Sequence, residues 1–277
     1  MKIIADSSCD LYTLDVPSFQ TVPLEVYTDE RCFQDEVDLD IKSMLDYLAS
    51  YKGRSYTSCP SVEAWLAAFE GEDEIFVSTV TSALSGSYNS AMTAADIYKE
   101  DHPEAKISVI DSLSTGAEEV MLLYKLAELV KTGDSFENID RKIRAYLKST
   151  RLFFSFFSLH NLAQNGRVSK AAAAALCVFN ISVTGTASPI GTISVTGKAR
   201  GERKAIRTLL NDAAKAGYKG GRAVITHCEN PAMADALKQE VLKEYPDADI
   251  RILPARGLCS FYMERRGICI CCETQAS

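Results

Sequence analysis

Short apolar runs alternate with amphipathic stretches along the first half of the chain. "KIIAD" (2–6), "EIFVSTV" (74–80) and "AKISVID" (105–111) are apolar runs of strand length, and "TVPLEVYT" (21–28) is a further extended run. Between them lie helical periods. "DIKSMLDYLASYK" (40–52) puts Ile41, Met44, Leu45 and Leu48 on one face. "SVEAWLAAFE" (61–70) follows Pro60 with Ser61 near its cap. "SGSYNSAMTAADIYKE" (85–100) stops before Pro103, "TGAEEVMLLYKLAELVKTG" (115–133) closes on Gly133, and "SFENIDRKIRAYLKST" (135–150) follows. This alternation predicts a three-layer α/β/α domain with a mainly parallel sheet over residues 1–150.

The pattern changes near residue 150. "LFFSFFSLHNL" (152–162) is dense in Phe, and "SKAAAAALCVF" (169–179) reads as a small-residue helix. "SPIGTISVTGKARG" (188–201) has the alternation of a hairpin with ends at Gly191 and Gly197. A helix (202–216), a strand (222–228), a helix (230–245) and a strand (249–255) follow. The tail "GICICCE" (267–273) alternates Cys and Ile and predicts a last strand. Residues 151–277 are therefore expected to form a second α/β domain with a mixed sheet. No Pro/Ser-rich linker separates the halves, which predicts that they pack closely.

Composition narrows the function. The chain has 277 residues, 47% of them hydrophobic, enough for a sizeable core without disulfide or metal staples. A formal charge of −7 disfavours nucleic acid and anionic membrane surfaces as partners. No apolar stretch approaches the ~20 residues of a bilayer span, and Asp6 follows too soon on the N-terminus for a signal peptide. A cytoplasmic protein is expected. Its nine Cys are an odd number, in line with free thiols. Cys269 and Cys272 form a lone C-x-x-C without a second ligand pair, so no metal site is expected and a buried strand is preferred.

Three predicted strands run into hydroxyl-rich turns: "SS" (7–8), "TVTSALSGS" (79–87) and "SLSTG" (112–116). In open α/β sheets ligands bind at such strand ends, and helix starts offer free N–H groups to an anion. The same hydroxyls would equally serve as helix caps. Ser85 as a nucleophile needs a base in reach. The three His lie in an acidic turn (His102), at a helix start (His160) and at a strand end of the second half (His227), and "ALSGS" lacks the G-x-S-x-G elbow. P-loop and G-x-G-x-x-G motifs are absent. No catalytic residue is assigned. Arg167 in "NGRVS" and Arg200 in "GKARGERK" sit beside Gly in expected turns, where they either face an anion or lie at the surface.

The motifs taken in order resemble the DegV family of bacterial fatty-acid-binding proteins. "IADSSCDL" (4–11) is similar to its D-S-[ST]-x-D-L, "TSCPS" (57–61) to its T-S-Q-P-S, and "STVTSALSGSYNSA" (78–91) to its S-S-x-L-S-G-[ST]-Y-x-S-A. "VIDS" (109–112) with Gly116, "NGRVS" (165–169) and "SPIGTISVTGKARGERKAI" (188–206) also match. The resemblance implies two α/β domains and one long-chain fatty acid in an apolar tunnel, with no further cofactor. The carboxylate would be held by the T-S-Q-P and L-S-G motifs, here Thr57, Ser58, Ser85 and Gly86. Arg167 and Arg200 would lie near the carboxyl end, and segments 152–162 and 171–181 would supply tunnel wall. Some members present the acid to a fatty-acid kinase. At the C-terminal end this chain departs from the family, with Met263 where a His is expected, followed by "ERRG". That departure bears on the kinase hand-off, with Arg265 or Arg266 as candidates to replace the lost polar contact. The competing readings are a phosphotransferase or hydrolase at the Ser/Thr-rich turn, and a sensor or scaffold with a structural lipid.

Overall fold

The computed structural model describes residues 1–169, 171 and 180–274. The small-residue helix expected at 169–179, with Cys177, and the wall expected at 171–181 lie almost wholly outside them.

Four strands form an all-parallel sheet in the order β2-β1-β6-β7: β1 (Lys2–Asp6), β2 (Phe19–Val22), β6 (Glu74–Thr79) and β7 (Lys106–Asp111). Six more form a mixed sheet in the order β10-β9-β8-β13-β11-β12: β8 (Thr150–Phe156), β9 (Ile181–Ala187), β10 (Ile193–Arg200), β11 (Ala223–His227), β12 (Ile250–Pro254) and β13 (Ile268–Glu273). Only its β11/β12 pair is parallel. A small antiparallel sheet, β4-β3-β5, joins β3 (Glu25–Tyr27), β4 (Cys32–Gln34) and β5 (Tyr56–Ser58). The helices are α1 (Ile41–Ser50), α2 (Val62–Phe69), α3 (Ser87–Asp101), α4 (Ala117–Lys131), α5 (Phe136–Leu147), α6 (His160–Gln164), α7 (Glu202–Lys215), α8 (Pro231–Glu244) and α9 (Gly257–Met263).

The continuous apolar runs of β1, β6 and β7 follow from burial on both faces. Ile4, Ile75, Val77 and Val109 point to α2 and α3, whereas Ile3, Ala5, Phe76 and Ile110 point to α4 and α5. Helix α4 is buried almost all round, because its far side packs on Leu152, Phe154, Phe156, Cys269 and Cys271 of the mixed sheet. The outer face of that sheet, with Phe153, Ile268, Ile270 and Cys272, carries α7 and α8. The α/β/α layering and the mixed sheet read from the sequence are both present, and α4 is common to them. The Cys/Ile alternation of the tail is an ordinary two-sided strand. Among the described residues no group of three or more His, Cys, Asp or Glu is placed to hold a metal ion. None of their helices is long and apolar enough to cross a membrane.

Two local expectations are corrected. The run 21–28 is not one strand: Phe19–Val22 joins the parallel sheet and Glu25–Tyr27 the small one. Pro23 breaks the run, and the Leu24 N–H donates to Ser7 Oγ (3.0 Å) instead of to a ladder. The segment 188–201 is not a hairpin by itself. Ser188–Thr192 is the turn between β9 and β10, closed by Ser188 N–H to Thr192 O (2.8 Å), and Gly197 sits at a bulge within β10.

A buried ion pair ties the third sheet's neighbourhood to α9. Asp35 accepts from Gly257 N (2.9 Å) and Leu258 N (2.9 Å) and lies 3.5 Å from Arg256 Nε. Arg256 Nη1 donates to Leu11 O (2.6 Å). Removing one partner leaves an uncompensated buried charge. Asp35→Ala is therefore expected to cost about 3–5 kcal/mol of unfolding free energy, measured by urea denaturation. A loss below about 1 kcal/mol would remove this pair from the account of the fold.

Candidate carboxylate and acyl-chain site

The turn after β6 is built by its own hydroxyls. Asp6, wholly buried at the end of β1, accepts from Val80 N (2.9 Å), Ser87 Oγ (2.6 Å), Ser8 N (3.2 Å) and Ser8 Oγ (2.6 Å). Ser82 Oγ donates to Asp111 Oδ2 (2.5 Å), and Thr81 Oγ1 accepts from Ala83 N (3.2 Å). Ser8 Oγ also touches Glu119 Oε2. One hydroxyl has one proton, so the second contact needs a proton from the carboxyl. Burial, then the Asp6 charge, pushes Glu119 well up, so it supplies that proton.

An apolar cavity opens between the two large sheets. Its wall is mostly apolar, as in small-ligand sites. Leu152, Phe154, Phe156 and Leu162 line it, as expected for segment 152–162, together with Leu24, Leu84, Ile193 and Leu258. Polar groups gather at one place. Thr57 Oγ1 lies 2.7 Å from the Tyr262 hydroxyl, and the Arg167 guanidinium sits over the Tyr262 ring, 5.6 Å from its centroid. Arg167 Nε donates to Leu84 O (3.2 Å), which brings it beside Ser85. Ser85 Oγ accepts from Ser87 N (3.2 Å). Among the described lining residues Arg167 is the only charged one.

Of the residues singled out in the sequence, Thr57, Ser85 and Arg167 are thus brought together. Ser58 is not with them. Its neighbour Thr57 takes the cavity side of β5, so by the two-residue period Ser58 faces away and donates to Glu25 Oε2 (3.2 Å). Gly86 caps α3 without lining the cavity. A Cβ there would lie 3.1 Å from Cys59 Sγ, so the missing side chain lets loops 57–61 and 85–87 approach. Arg200 is exposed and outside the site. Ile193 at the start of β10 reaches the cavity, and Arg200 closes the same strand seven residues on, roughly 23 Å away. Met263 lines the cavity. Neither nearby arginine replaces a polar contact there: Arg265 pairs with Asp46 and Glu229, and Arg266 with Glu202. Tyr262 carried no sequence signal; only the fold sets it against Thr57.

The histidines sit elsewhere. His102 stacks on Tyr98, His160 opens α6, and His227 accepts from Asn230 N (3.3 Å). At the inner wall, Asp10 is buried with Oδ1 accepting from Arg256 N (2.8 Å). Burial pushes its carboxyl up to about 7. A raised folded pKa contributes stability that is present below the unfolded value near 4 and lost as pH rises through about 7. Unfolding free energy from urea melts should therefore fall between pH 5 and pH 8, and Asp10→Asn should flatten that fall. An unchanged slope in the variant would mean that Asp10 is ionised throughout.

Residues 1–275 match the family model described as "Uncharacterised protein, DegV family". A DegV domain-containing protein of Streptococcus pneumoniae is 42% identical over 271 residues, covering 96% of each chain. Among solved structures, a DegV family protein from Eubacterium eligens loaded with heptadecanoic acid is 49% identical, with a TM-score of 0.97 over 99% of each chain. The Streptococcus pneumoniae Fatty Acid Kinase (Fak) B3 protein loaded with linoleic acid is 42% identical, also with a TM-score of 0.97 over 99% of each chain. By motif order, fold and match over nearly its full length, this chain belongs to the DegV family.

Proposed function

We propose that this protein binds one long-chain fatty acid between its two halves, 1–150 and 151–277, with the carboxylate at Thr57, Ser85 and Arg167 and the acyl chain along the apolar cavity. The observation that carries this reading is the meeting of three hydroxyls, of Thr57, Ser85 and Tyr262, and one cation at one place on an otherwise largely apolar wall. A carboxylate leaving water needs hydrogen bonds, and Thr57, Tyr262 and Ser85 supply hydroxyls for them. Each buried CH₂ contributes about 0.8 kcal/mol, so a C16 tail supplies roughly 10 kcal/mol gross. The tail then sets affinity and the head sets orientation. The fatty acids carried by the Eubacterium eligens and Streptococcus pneumoniae proteins agree with this reading. The protein acts as a carrier without turnover: Ser85 is bonded within its own turn and the histidines lie in other surroundings.

Calorimetry with palmitate tests the head group. Thr57→Ala and Ser85→Ala are each expected to weaken binding by about 1–3 kcal/mol, since both lose a bond to a charged group. Octanoate should bind wild type far more weakly than palmitate. A double variant as tight as wild type would remove the head-group assignment, and equal affinity for the two acids would remove the tunnel.

A kinase that phosphorylates the bound carboxylate is the partner this reading implies. Met263 offers no hydrogen bond where the family has its His, and Arg265 and Arg266 are held by acidic partners on other elements. Wild type is therefore expected to bind palmitate yet serve poorly in acyl-phosphate formation with a fatty-acid kinase, with Met263→His improving it. Full activity of wild type that Met263→His does not raise would show that the His is dispensable.

A further inference from the structure

Glu119 lies in the first turn of α4, wholly buried and outside the lining of the cavity. Its Oε1 accepts from Ser78 Oγ of β6 (3.2 Å), and its Oε2 meets Ser8 Oγ. Ser8 Oγ also lies 2.6 Å from Asp6 Oδ1. A single hydroxyl thus stands between two buried carboxyl groups.

Donor counting decides which of the two keeps a proton. Asp6 is met by Val80 N, Ser87 Oγ, Ser8 N and Ser8 Oγ, a set that holds it as the carboxylate. A Glu119 carboxylate would keep the Ser78 hydroxyl and compete with Asp6 for the one hydrogen of Ser8. The strongest influences on Glu119 are burial, Asp6, Ser8, Ser78 and Asp10, and none of these is a cation. Cys9 and Cys259 are further titratable groups in its surroundings, both kept as neutral thiols by burial. The Arg256 guanidinium acts on Cys9 and Asp10 and is engaged with Asp35. The start of α4 favours a carboxylate, but that pull is small beside the cost of a buried charge without a partner. The hydrogen bonds therefore run one way: Ser78 donates to Glu119, the Glu119 carboxyl donates to Ser8, and Ser8 donates to Asp6.

This row ends at the head of the cavity. Asp6 fastens Val80 and Ser87, which flank Ser85 in the turn after β6, and Ser87 N donates to Ser85 Oγ (3.2 Å). Once Glu119 ionises, Ser8 has one hydrogen for two carboxylates. The repulsion then falls on the residue that anchors the turn. We infer that Glu119 is a positioning residue for fatty-acid binding: its carboxyl proton, acting through Ser8 and Asp6, keeps Ser85 in place, so that affinity falls in alkaline solution as the proton is lost. This inference rests on the fatty-acid reading above and adds a pH-dependent control to the same site.

Calorimetry with palmitate on the full-length protein, from pH 7 to about pH 10, tests it. Glu119→Gln keeps a donor toward Ser8 and an acceptor for Ser78 at every pH, so at pH 7 it should bind within about twofold of wild type. As pH rises, wild-type affinity should fall by about tenfold relative to this variant. Effects of pH on the ligand and on other side chains are common to the two proteins and cancel in the ratio. Glu119→Leu, which removes the donor, should bind about tenfold more weakly than wild type at pH 7. In a Ser85→Ala background the same change should weaken binding little further, because it acts through Ser85, whereas a general loss of structure would add in full. A constant ratio of wild type to Glu119→Gln across this range overturns the inference and leaves the fatty-acid reading standing, and so does a full further loss in the Ser85→Ala background. If Glu119→Leu does not fold, the pH dependence of the ratio decides by itself. If wild type binds no palmitate at any pH, both readings fall together.

Discussion

The head of the cavity depends on one saturated carboxylate. Asp6 stands at the end of β1 and receives hydrogen bonds from the start of the turn after β6 and from the first residue of α3. Those contacts join residues more than seventy positions apart. They fix the path of residues 80–87, so that Thr81 and Ser85 reach the cavity while Ser82 and Ser87 hold the backbone. The hydroxyl wealth of this stretch is divided between building the turn and facing the cavity.

The site is assembled from three directions. The small sheet brings Thr57, the turn after β6 brings Ser85, and α9 brings Tyr262. Arg167 follows α6 and is steadied by carbonyls of Leu84 and Asn165 and by the Tyr262 ring. A cation held in this way raises the local potential at the cavity, and among the described residues no carboxylate forms an ion pair with it. Asp35 and Arg256 matter to the same place indirectly, because they seat the first turn of the helix that carries Tyr262.

Long elements were legible because a single physical signal dominated each. β1, β6 and β7 read as buried strands from their apolar runs, and the alternation at 267–273 placed Cys269 and Cys271 on one face and Cys272 on the other. The three-residue strands β3, β4 and β5 are too short to show a period. Within the site, residue type pointed to Thr57, Ser85 and Arg167. It did not separate Thr57 from Ser58, since that depends on which face of β5 meets the cavity. Nor did it exclude Arg200, whose distance from the cavity is set by strand length. The bond between Thr57 and Tyr262 spans 205 positions, and no local pattern encodes such a meeting. The family resemblance supplied the ligand class, which residue patterns alone left open among several anions.

Helix α4 is shared property. One side completes the parallel sheet and the other completes the mixed sheet, so a chain cut at residue 150 would leave the second half with Leu152, Phe154, Phe156, Cys269 and Cys271 bare to water. A fragment of that kind is a sticky surface and not a module. The two halves therefore cannot be shuffled independently among other proteins, and any recombination that preserves this fold must carry α4 together with both sheets it serves.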